Sequence, residues 1–200
     1  SVGKYVDKFE QMMCEITGSN YAIAIVNGTC ALHMALLLND VNNNDEVITQ
    51  PLTFIATCNA ISYIGARPVF VDIEKDTWNI DMSAVPENVR AVIPVHYAGL
   101  PVDLSGRKSS RPIIIEDAAH ALGALTPDGP VGNCAHSDMC CFSFHPVKPI
   151  TTAEGGMVTT NDPALAERLR LFRTHGIVRK PEHGAWYYEI AELGYHYRMT

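Results

Sequence analysis

The chain has 200 residues, 47% of them hydrophobic and 18% charged, with a mean hydropathy of +0.02, which excludes a disordered or collagen-like chain and suffices for one domain with its own core. Fifteen Lys and Arg against 22 Asp and Glu give a formal charge of −7 with no run of like charges. No surface for nucleic acid or for an anionic membrane is therefore expected, and a small or neutral partner fits better.

Tyr5, Phe9, Met12, Met13 and Ile16 recur at helical spacing over residues 4–17, and Gly18 stops that helix. Residues 21–26 read as a buried strand, far short of the ~20 residues of a membrane span. No secretory segment precedes it, so the chain is expected in the cytoplasm. Asn27-Gly28 turns the chain into a helix over 29–39. A strand at 46–49, a helix at 54–64 and a strand at 68–72 follow. Further strands are expected at 90–95, 113–116, 139–144 and 156–160. Next comes a helix capped by Asp162, with Pro163 in its first turn and Leu165, Leu169 and Phe172 as its apolar stripe. This alternation predicts an α/β fold, a mostly parallel sheet with helices on its faces. From His175 the periodicity is lost, and the abrupt end at Thr200 reads as a cut. The six cysteines, scattered in apolar surroundings, are expected to be reduced and mostly buried.

Three segments could carry chemistry. The strand, Asn27-Gly28-Thr29, helix sequence can present free amides and a positive dipole end to an anion, although many such turns bind nothing. In Ile113-Ile-Ile-Glu116-Asp117-Ala-Ala-His120 an apolar strand ends in two carboxylates, at the edge where open α/β sheets bind ligands. Asp117 could equally be a helix cap, and His120 alone reads as a core histidine. In the stretch from Phe142 to Gly156, Lys148 lies among apolar and proline residues. Desolvation there would lower its pKa toward that of a Schiff-base nucleophile; a surface loop lysine is the alternative. Taken together, the three segments favour the Schiff-base lysine. His136, Cys140, Cys141 and His145 lie close in sequence, but adjacent strand cysteines face opposite ways and no Cys-x-x-Cys pair exists, so no metal is expected. Trp186, Tyr187 and Tyr188 read as packing or loop anchoring, with Glu189 and Glu192 on a solvated face.

Five ordered blocks, at 27–33, 51–57, 116–123, 143–156 and 193–199, make the chain resemble the pyridoxal-phosphate sugar aminotransferases of nucleotide-sugar pathways. Within them it looks most like the branch that aminates C4 of a UDP-linked 4-keto-6-deoxy amino sugar on the way to pseudaminic acid. The resemblance implies the three-layer α/β/α large domain of the aspartate-aminotransferase fold, over residues 1–175. Residues 176–200 would begin a loop and interface segment leading to a small domain that this chain lacks, as it lacks the family's leading segment. The implied cofactor is pyridoxal 5'-phosphate, with Lys148 as the Schiff-base lysine and Asp117 as the partner of the ring nitrogen. Gly28, Thr29, the Cys30 amide and Ser143 would meet the phosphate, Phe54 would stack on the ring, and His120 would lie near the phenolic oxygen.

His196 replaces the family's usual Asn and would reach the cofactor phosphate of the neighbouring subunit in a homodimer. The implied partners are a nucleotide-linked keto sugar and an amino-acid donor, glutamate by family habit. The alternative is a truncated or decayed relative that binds cofactor or dimerises without turnover. Residues 104–112 are too few for the crossover helix of relatives, which predicts a stunted helix and a partly bare sheet face.

Overall fold

A computed structural model describes residues 3–106 and 112–199. Its elements, in chain order, are helix α1 (Lys4–Thr17), strand β1 (Tyr21–Ile25), α2 (Gly28–Leu38), β2 (Glu46–Thr49), α3 (Ile55–Tyr63), β3 (Arg67–Phe70), β4 (Ala91–Ile93) and β5 (Ile113–Asp117). Then follow β6 (Leu125–Thr126), β7 (Gly129–Pro130), β8 (Met139–Ser143), β9 (Gly156–Thr160), α4 (Pro163–Phe172), β10 (Ile177–Arg179) and β11 (Tyr188–Ile190). The ends of the helices follow local chemistry. Gly18 closes α1 in the left-handed region at φ 74°, its amide bonded to the Cys14 carbonyl. Asn27 and Asp162 cap α2 and α4 by accepting first-turn amides.

Seven strands form one sheet in the order β1-β9-β8-β5-β4-β2-β3. Pairing is parallel from β3 through β8, whereas β9 is antiparallel to both of its neighbours. The reason lies in the connection, because residues 144–155 contain no crossover helix to carry the chain back to the starting edge. The hairpins β6–β7 and β10–β11 lie outside the sheet. Strands of two or three residues are too short to show a period.

One face of the sheet is covered by α2, α3 and α4, with Val47, Ile93, Ile115, Cys141 and Val158 in its core. The other face is divided. Cys140, Phe142 and Met157 pack under α1 through Met13, while Ile48, Val92 and Ile114 lie beneath Ile80, Val102 and Leu104 of irregular chain. Those three strand residues are buried, and a groove of about 1390 Å³ lined by Ile48, Val69, Leu104 and Ile114 opens over the same part of the face. Of the 104–112 connection, residues 104–106 and 112 contain no helix, and 107–111 lie outside the described residues. Cys140 and Cys141 do face opposite ways, and all six thiols are free. Burial pushes the Cys134 thiol up to about 12.

After α4 the chain makes the outer hairpin and then returns. The Tyr197 carbonyl accepts the Val26 amide, and the Tyr197 hydroxyl meets His33 Nδ1 at 3.2 Å. Trp186 and Tyr188 are mostly exposed and do not enter the core, while Trp186 and His183 meet the Tyr187 ring within this loop. Among the described residues, no helix is long and apolar enough to cross a membrane.

Candidate active site

The loops that follow β1, β2, β4, β5 and β8 open at the carboxyl edge of the sheet around a cleft of about 750 Å³, the place where open α/β sheets hold ligands. Gly28, Thr29, Phe54, Asp117, His120, Ser143 and Lys148 all line it. Cys30 and His196 do not.

Lys148 sits on the loop after β8, its amide bonded to the His145 carbonyl. The loop is exposed, with Val147 at 74%, rather than buried as its composition suggests, because prolines and a short turn hold it at the rim. Lys148 itself is half-buried, and its Nζ lies 2.7 Å from His120 Nε2. Burial lowers the lysine pKa, opposed by the Asp117 charge. Burial also lowers the His120 pKa, aided by the Lys148 ammonium and opposed by Asp117. The two nitrogens therefore disfavour holding a positive charge together, and a proton can pass between them.

Asp117 is buried. Its Oδ2 accepts the Thr57 hydroxyl at 2.7 Å, and its Oδ1 accepts the Ala119 amide at 3.2 Å. No helix follows Asp117, so it is not the helix cap of the alternative reading; it closes a local turn and presents its carboxylate to the cleft. Thr53, one helical turn earlier, lies 2.8 Å from the Thr57 hydroxyl. Glu116 pairs instead with His96 Nε2 at 2.7 Å and accepts the Ser137 hydroxyl. His96 Nδ1 in turn accepts the Val102 amide.

At the start of α2 the Gly28 and Thr29 amides have no intrahelical acceptor, so they meet the cleft at the positive end of the helix. A Cβ on Gly28 would fall 2.9 Å from Ser143 Cβ, so glycine is what lets the end of β8 approach the helix. The Cys30 amide is already donated to Asn27 Oδ1 at 2.8 Å, which removes it from the expected phosphate contacts. The Cys30 thiol instead lies against Tyr197. Phe54 stands at the mouth of the cleft, 75% exposed, at the N-terminus of α3.

His196 stacks on His175, with ring centroids 5.2 Å apart, away from its own chain's cleft. The Arg198 charge is the main cause of its lowered pKa. The sequence held a signal for Thr57, two threonines four apart at a helix start. It held none for His96, whose partners Glu116 and Val102 lie further along the chain. Among the described residues, no group of three or more His, Cys, Asp or Glu could hold a metal ion.

Residues 1–200 match the DegT/DnrJ/EryC1/StrS aminotransferase family over their whole length. The chain belongs to this family. It is 39% identical to the GDP-perosamine synthase of Escherichia coli, over 100% of this chain and 55% of that protein. Among solved structures, a Streptococcus pneumoniae sugar aminotransferase in its PMP form superposes with a TM-score of 0.90 at 29% identity, covering 100% of this chain and 58% of that one. Helicobacter pylori PseC, an aminotransferase of pseudoaminic acid biosynthesis, superposes at 0.87 with 34% identity, covering 98% and 54%. The chain spans about half the length of the curated relatives it matches.

Proposed function

We propose that this chain is the cofactor-binding part of an aminotransferase that moves an amino group from an amino-acid donor, glutamate, to the C4 keto group of a UDP-linked keto-deoxy sugar. The product would serve surface polysaccharide or nonulosonic acid synthesis. The observation that carries this reading is the Lys148 amine, depressed in pKa, in a cleft that also holds a buried carboxylate and the open N-terminus of a helix. The relatives' descriptions as sugar aminotransferases support the substrate class.

Pyridoxal phosphate, when bound, supplies an aldehyde for a lysine amine and a ring that accepts electrons. The residues present fit it. The Gly28 and Thr29 amides and the Ser143 hydroxyl would hold the phosphate, and Gly28 is the position where a side chain would fill that cradle. The Asp117 carboxylate, oriented by Thr57 and Ala119, would keep a proton on the ring nitrogen. Phe54 would lie over the ring. Lys148, in its neutral form, would attack the aldehyde and, once displaced by the donor, carry a proton to and from the reacting carbon. His120 would take or return that proton. A homodimer fits this site, because His196 lies outside its own cleft and is exposed for a neighbouring copy.

Residues 1–175 then form the large domain, with 176–200 leading out of it. The test is transfer of label from 15N-glutamate to a UDP-4-keto-6-deoxy sugar. Label on C4 is expected, and its loss in Lys148→Ala. No label from the unaltered protein would contradict the reading.

A further inference from the structure

We propose that Trp78 and Tyr97 form a stacking platform at the outer side of the cleft for the base of a nucleoside-diphosphate substrate, an inference that rests on the cleft's reading as a nucleotide-sugar site. The two rings lie 5.6 Å apart, tilted by 36°. Tyr97 lines the cleft. Two residues on, a Cβ at Gly99 would fall 2.8 Å from the His120 carbonyl, so this turn presses on the histidine that touches Lys148. Contact therefore runs outward from Lys148 through His120 and the 97–99 turn to Trp78. The part of a substrate that does not react at Lys148 would lie on that outward side.

Trp78 is half exposed and holds a φ of 63°, a conformation that bulky side chains disfavour. Strain of this kind, in a residue whose ring meets a cleft-lining tyrosine, points to function rather than to packing. Two buried amides hold the rings in place. Gln50 donates from Nε2 to the Leu52 and Trp78 carbonyls, and its Oε1 accepts the Ile80 and Val95 amides, which uses all four of its bonding positions. Asn79 donates to the Leu100 and Pro101 carbonyls and accepts the Tyr97 amide at 2.9 Å. Because the loops after β2, β3 and β4 are locked together from beneath, the exposed aromatic faces are ordered before any ligand arrives. A flat, uncharged ring is the chemistry such faces take, and a nucleobase offers it whatever its sequence of polar groups.

Trp186→Phe leaves Trp78 as the only tryptophan. In that background UDP is expected to quench the fluorescence, and ribose 5-phosphate, which lacks a base, is not. By calorimetry, Trp78→Ala should weaken UDP binding about tenfold or more, and Trp78→Phe should restore most of it. Matching unfolding midpoints for the two variants show that the fold is retained. UDP binding that is absent, or unaltered in Trp78→Ala, overturns the platform. So does a loss of self-association in Trp78→Ala without any change in UDP affinity, which would assign the ring to a contact between copies. UDP quenching in a protein that forms no pyridoxal phosphate adduct at Lys148 supports the platform while defeating the aminotransferase reading. The reverse pair of results defeats the platform alone.

Discussion

Lys148 and His120 meet at 2.7 Å within the cleft, and that contact makes each nitrogen report on the other's charge. The Lys148 ammonium is the second cause, after burial, of the lowered His120 pKa. Lys148→Met removes that repulsion and leaves the attraction of Asp117, so the His120 pKa is expected to rise. An NMR titration of the imidazole Cε1 proton reads it directly, and an unaltered or lower value would contradict the pairing. Lys148 and Asp117 were legible in the sequence because their chemistry needs those residue types beside apolar strands. Cys30 was misread because Asn27 occupies a helix cap whose oxygen takes that amide, a competition the same three residues already encoded. Gln50 and Asn79 matter through partners up to 45 residues away in the chain, and no local pattern announces such bonds.

At the scale of elements, the cleft depends on how closely β9 approaches the turn between β1 and α2. A Cβ on Gly156 would fall 2.4 Å from the Asn27 carbonyl carbon and 2.5 Å from its oxygen, both backbone atoms that cannot swing aside. Gly156→Ala is therefore expected to cost about 1–3 kcal/mol of stability, read as a lower urea midpoint. An unchanged midpoint would show that the turn can yield. Apolar stripes and runs placed the seven sheet strands and the four α-helices within a few residues, β4 by the run around it although only three of its residues pair. It did not give the antiparallel direction of β9, which follows from the connection after β8 rather than from the strand's own residues. Residues 71–90 and 94–104 cover part of one sheet face without an α-helix, and largely irregular chain of that kind leaves no period to read.

Over the whole molecule, the cleft is assembled from five loops spread between Asn27 and Lys148, which the parallel sheet gathers at one edge. This gathering turns three separate motifs into one site. It also leaves Phe54 at the cleft's mouth, and Trp78 beside the cleft-lining Tyr97, open to whatever the substrate or a second copy supplies. The most direct test is to incubate the protein with pyridoxal phosphate, reduce with borohydride and map the modified peptides. A single pyridoxyl group on Lys148, absent from Lys148→Met, is the expected result. Modification spread over surface lysines, or persisting undiminished in Lys148→Met, would contradict the assignment of this cleft as a cofactor site.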